Sequence, residues 1–136
     1  MGYTFAEITL SNLGDVTMAQ RGIIKETEIR QTTLTAIVDT GAATLIINEE
    51  ICRKLGLAEE SSYEARLADG STHLYAKTEP VQIQWKNRDT VCRAVVVPNA
   101  KETLLGVIPL EDMDLTIHPS KQELVGVHGD EMLFRV

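Results

Sequence analysis

The stretch TAIVDTGAATLII, residues 35–47, decides how the rest of the chain is read. Ala36, Ile37 and Val38 make a short apolar run of strand type. Asp39 ends that run, Thr40 and Gly41 follow, and Leu45, Ile46 and Ile47 resume it. A glycine two residues after the carboxylate permits a tight turn. Asp39 is then either the cap of an Asx-type turn, bonded to its own backbone, or a chemical group delivered at a strand end.

The surrounding composition narrows the choice. The chain has 136 residues, 43% of them hydrophobic, which suits one domain over residues 1–136 with a single core. Its net charge is −7 and no Lys/Arg run occurs, so no nucleic-acid partner is expected. Apolar runs such as Ala94 to Val97 are strand-sized, far below the roughly 18 residues of a membrane span. The start, MGYTFAEITL, lacks a basic region followed by an apolar one, and Ala6 stands where a myristoylation signal needs Ser or Thr. Cys52 and Cys92 are the only cysteines. Without close Cys-Cys or Cys-His spacing, two buried thiols are the best reading, and the chain is expected to be cytoplasmic.

Most of the chain reads as strand. YTFAEITL is rich in β-formers, and SNLGD after it is a turn cluster. Residues 23–39 hold many Ile and Thr and no Gly or Pro, which predicts one or two strands. One helix is well signalled: Asn48 as N-cap, Glu49 and Glu50 in the first turn, Arg53 and Lys54 in the last, and Gly56 just beyond. Asp69-Gly70 between β-like runs predicts a hairpin over residues 63–76 with a two-residue type I′ loop. That register puts Ala65, Leu67, Thr72 and Leu74 on one face, and Glu64, Arg66, His73 and Tyr75 on the other. VQIQWK and TVCRAVVV predict a second hairpin, with Trp85 in the core. TLLGVIPLEDM predicts a short strand, Gly106, and a brief helix around Pro109 to Met113. LTI, ELVGV and MLFRV close the chain as short strands.

Strand, Asp39-Thr40-Gly41-Ala42, short helix, Asp-Gly hairpin and Leu104-Leu105-Gly106 before a last helix stand in an order that resembles one family. It is the retropepsin-like, retroviral-type aspartic peptidases with their single-domain cellular and bacterial relatives. The resemblance spans roughly residues 30–117 and is most specific at VDTGA. It implies a mostly β, closed acid-protease barrel with one or two short helices, working as a homodimer. It implies Asp39 as the catalytic carboxylate, Thr40 as a brace to the partner copy, and Gly41 as the point where substrate passes close. Residues 63–76 become a flap over a peptide, with Ala68, Asp69, Gly70 and Ser71 at its tip. Ala42, Ala43 and Thr44 become substrate neighbours, and Leu104, Leu105 and Gly106 the scaffold beneath the catalytic loop.

The chemistry needs two carboxylates, and the chain has one Asp-Thr-Gly. The second is therefore expected from another copy of the same chain. The C-terminal MLFRV is a natural candidate for pairing between the copies, with an edge strand of one copy as the alternative. Two departures from the retroviral pattern stand out. Ala43 and Val107 occupy positions that there carry an Asp–Arg pair; losing both partners together avoids an uncompensated charge. Ala42 replaces the Ser of many two-lobed relatives, which implies a less acidic optimum. No metal or cofactor is expected. His118, His128 and Asp130 form at most a weak metal pattern. The expected partner is a peptide or protein substrate. The rival functions are a silent dimer that binds a peptide strand in the same cleft, and a plain dimerisation module.

Overall fold

The structure, a computed structural model, describes residues 2–129. Nine strands and three short helices are present among them. β1 (Thr4–Asn12) turns Thr4, Ala6, Ile8 and Leu10 inward and Phe5, Glu7 and Thr9 outward, the period-2 pattern of a strand buried on one side. β2 (Gln31–Val38) runs antiparallel to it, with Phe5 opposite Ile37. β3 (Leu45–Ile47), β4 (Glu59–Arg66), β5 (Thr72–Trp85), β6 (Arg88–Val96) and β7 (Thr103–Leu105) complete a sheet of order β1-β2-β7-β3-β6-β5-β4. The second edge of β1 meets β5, Thr9 opposite Gln84, and closes six strands into a barrel with β4 outside the ring. Ile8, Leu10, Leu45, Ile47, Val81, Ile83 and Leu105 fill its interior. β8 (Leu115–Ile117) and β9 (Leu124–Gly126) form a separate antiparallel pair. The mostly β, closed-barrel expectation agrees with this architecture. No helix among the described residues is long and apolar enough to cross a membrane. MLFRV, residues 132–136, lies outside the described residues.

The signalled helix is α2 (Glu49–Lys54), where the Asn48 side chain accepts from the Ile51 N–H at 2.9 Å and Gly56 follows at φ 61°. The helix after Gly106 is α3 (Val107–Asp112), beginning two residues earlier than expected. Three expectations need correction. SNLGD is not a simple turn: Asn12 caps α1 (Leu13–Gln20), accepting from the Asp15 N–H at 3.1 Å. Only Asp15 of that helix is buried, so it shows no apolar stripe by which periodicity reveals a helix. Residues 23–30 are not strand; a 3-10 turn, Glu26–Glu28, precedes β2, and Arg30 is tied back to Asp15.

The third correction concerns the Asp-Gly hairpin. Arg66 pairs with Thr72, the Leu67 N–H donates to the Ser71 carbonyl at 2.7 Å, and the Gly70 N–H to the Leu67 carbonyl at 2.9 Å. The loop is therefore three residues, Ala68, Asp69 and Gly70, with Gly70 at φ 85°. Asp-Gly serves this bulged turn as well as a two-residue one. The one-residue change regroups the faces. Tyr63 now lies opposite Tyr75 and Ala65 opposite His73, while Glu64 lies opposite Leu74 on the other side.

Two polar ties, each built on one buried charged side chain, link segments around the barrel. The Asp15 carboxylate accepts from Arg30 N–H, Nε and Nη2 at 3.0, 2.8 and 3.0 Å. Arg88, 3% exposed, donates to the carbonyls of Met113, Asp114 and Gly129 at 2.9, 2.8 and 2.6 Å. A guanidinium brings several donors in one plane and so satisfies three carbonyls from two chain segments at once.

Candidate active site

β2 carries the chain outward to Asp39, whose backbone N–H donates to the Leu105 carbonyl at 3.0 Å. β2 and β7 run parallel here, Ile37 beside Leu104 and Val38 beside Leu105. Leu105 is fully buried, so the carboxylate stands on a rigid strand end rather than a free loop. The turn behind it is closed by the Ala42 N–H to the Asp39 carbonyl at 3.1 Å. Two further bonds, Val107 N–H to Ala42 and Ile108 N–H to Ala43, each 2.9 Å, lock the loop to the start of α3. A Cβ on Gly106 would collide with the carbonyl oxygens of Ala42 and Thr44; this glycine is needed for close backbone approach. The structure thus brings residues 39–44 and 103–108 together, as the sequence order implies.

Asp39 is half-buried. Its Oδ1 accepts the Gly41 N–H at 2.8 Å, and among the described residues Oδ2 accepts no hydrogen bond. Gly41 does not sit at positive φ. Its role is space: a Cβ there would approach Asp39 Oδ1 to 3.1 Å. Thr40 is exposed, and within the described residues its hydroxyl makes no hydrogen bond. Ala42 is half-buried and Ala43 exposed. Thr44 is turned inward, its hydroxyl donating to the Arg93 carbonyl at 3.0 Å. The residue is 9% exposed, so its side chain faces the fold rather than the surface around Asp39.

Beside Asp39 lies an open hollow of about 420 Å³. Tyr3, Ile37, Val38 and Leu104 give it apolar walls, with Lys101 and Glu102 at one side. None of these was singled out as a site residue from the sequence except Leu104. Ile37 was legible in principle, because it lies two residues before Asp39 and shares its side of the strand. Leu104 and Tyr3 join it only through register between segments far apart in sequence.

The hairpin tip stands apart. Ala68, Asp69, Gly70 and Ser71 are all exposed, and no described hydrogen bond joins them to residues 39–44. Ser71 hydrogen bonds, side chain first, hold the Asp69 carboxyl below its ordinary value. Those bonds organise the turn itself. Both cysteines are free, and burial pushes both thiols up, which leaves little reactive thiolate. His128 Nδ1 lies 2.8 Å from Asp114 Oδ2, and no cluster of three metal-ligand side chains occurs among the described residues. A larger hollow of about 780 Å³ lies between β1, the turn after Trp85 and β9, away from Asp39.

Comparison with known families adds an independent line. The family described as "gag-polyprotein putative aspartyl protease" matches residues 25–112, more than half the chain. The match spans the Asp39 loop, the β4–β5 hairpin and β7 through α3. No curated protein matches the chain.

Proposed function

The chain belongs to this aspartyl protease family, and from that premise we propose that it hydrolyses peptide bonds with a pair of Asp39 carboxylates from two copies. One observation carries the reading. Asp39 is held at a buried strand end, opens onto an apolar hollow, and keeps one carboxylate oxygen without a partner among the described residues. A carboxylate so placed and so little used by its own fold is half of a catalytic pair. Thr40, exposed beside it, supports the same arrangement, since its hydroxyl is free to bond across a two-fold axis.

Two carboxylates about 3 Å apart cannot both ionise, so they share one proton. The charged member takes a proton from a bound water. The protonated member donates its proton to the scissile carbonyl oxygen as the water oxygen attacks the carbon. The resulting gem-diol collapses: the now-charged carboxylate takes a proton from one of its hydroxyls as the new C=O forms, the C–N bond breaks, and the amine leaves with the proton first taken from water. The pair ends with one proton, as it began, and no covalent intermediate forms. The apolar walls at Ile37 and Leu104 exclude water around the reacting bond, which strengthens each electrostatic interaction there. In this reading the β4–β5 hairpin is the flap.

A second reading, a dimer that holds a peptide strand without cutting it, draws on Ala43 and the inward Thr44, which present no side-chain group to anchor a peptide backbone. One experiment separates the two. Wild type and Asp39→Asn are incubated with a diverse peptide pool between about pH 4 and 7, where raised carboxylates titrate, and products are read by mass spectrometry. Cleavage by wild type alone is expected. Equal cleavage by both would remove Asp39 from the mechanism, and binding by both without cleavage would establish the second reading.

A further inference from the structure

The outward face that carries Asp39 continues well beyond its hollow. Paired residues of neighbouring strands point to the same side of a sheet, so the register traces the face strand by strand. Ile37 on β2 pairs with Leu104 on β7, and Leu104 with Ile46 on β3. Ile46 pairs with Val95 on β6, which is covered at 2% exposure, and Val95 pairs with Lys77 on β5, where the face opens again. Tyr75 and His73 lie two and four residues along β5 from Lys77, on the same side, with Tyr63 opposite Tyr75. Side-chain contacts agree. Lys77 Nζ lies 5.9 Å from the centre of the Tyr63 ring, and the His73 and Tyr75 rings are 4.5 Å apart.

This end of the face differs in charge from the molecule around it. The chain carries −7, yet this side of the hairpin shows Lys77 and His73 among Tyr63, Tyr75, Ala65 and Ser61, with no carboxylate. Glu64 points the other way, beside Leu74. Among the described residues no lysine forms a salt bridge, Lys77 included, whereas Arg30, Arg53, Arg88 and Arg93 each have an acidic partner. An ammonium held near an aromatic face, half-buried and without a counter-charge, is positioned to gain from an anion brought to it.

We infer that Lys77, backed by Tyr63, is a specificity-determining contact that binds an acidic side chain of the peptide substrate. That the ligand is a peptide rests on the proposed function. β5 lies four strand spacings from β2, about 19 Å along the sheet and less across a curled one. An extended peptide covers that in roughly six residues. The acidic residue therefore lies within about six positions of the scissile bond.

Matched peptides that differ only by Glu against Gln at each position test this. Wild type is expected to show a KM about two- to fivefold lower for the Glu peptide at one position, with kcat unchanged, the worth of one partly exposed ion pair. Lys77→Gln abolishes the difference, Lys77→Arg retains it, and Lys77→Glu turns it toward Lys-containing peptides. Added salt weakens it. Equal KM for Glu and Gln at every position, or a preference that survives Lys77→Gln, overturns the inference. Binding of the same peptides to Asp39→Asn keeps it separate from catalysis. Acid-selective binding lost in Lys77→Gln, with no cleavage by wild type, would sustain Lys77 and overturn the peptidase reading. Cleavage without acid preference would do the reverse, and neither binding nor cleavage would overturn both.

Discussion

Gly41 shows how little room the Asp39 carboxylate has. Its N–H donates to Asp39 Oδ1 at 2.8 Å, and an added Cβ would reach that same oxygen at 3.1 Å. A methyl group there does not strain the backbone, because Gly41 lies outside the left-handed region. It pushes the carboxylate instead. Displacement of a reacting group by a fraction of an ångström to an ångström costs up to about 100-fold in rate. Gly41→Ala is therefore expected to fold like wild type, with a similar melting temperature, and to lose about 10- to 100-fold in kcat. An unchanged kcat would show that the position of Oδ1 is not critical. A loss of folding would show that the glycine is structural. Sequence alone offered a different reason for this glycine, a tight turn. The tripeptide was legible, but the purpose of its third member was not, since it depends on where the carboxylate oxygen points.

At the scale of elements, the pieces with local signals were legible and those set by distant partners were not. α2 carries its own start and stop, Asn48 and Gly56, and forms where they place it. α1 has the same kind of cap in Asn12 but no apolar stripe, because its one buried side chain is an aspartate held by Arg30. The Asp69-Gly70 turn is visible in sequence, yet its loop length is not, and one residue decides which side chains face Asp39's side of the sheet. The Asp15–Arg30 tie makes a prediction at this scale. The Arg30 guanidinium, through its side-chain hydrogen bonds, holds the Asp15 carboxyl below its ordinary 3.8. A lowered folded value means that the contribution is fully present above 3.8 and is lost as pH falls through the lower, folded value. Asp15→Asn is expected to cost about 1–2 kcal/mol at neutral pH, discounted for a half-exposed arginine, with the gap closing in strong acid. Denaturant titrations of both proteins from neutral to acid pH measure it, and a gap that is constant with pH would deny the ion pair its role.

The described residues form a barrel that carries the proposed active site on its outside. The interior is occupied by Ile8, Leu10, Leu45, Leu105 and their neighbours, so the proposed site lies on the outer face of β2 and β7. Asp39, Ile37 and Leu104 stand on that face, and the hairpin of β4 and β5 continues it. The proposed active site is complete only when a second copy brings its own Asp39 to the first. Mixing tests that directly. Wild type is held constant while inactive Asp39→Asn is added, the subunits are allowed to exchange, and peptide cleavage per wild-type chain is measured. Shared sites predict a fall to roughly half at equal amounts and further with excess, because each mixed pair lacks one carboxylate. Activity per wild-type chain that stays constant at every ratio would contradict the two-copy active site.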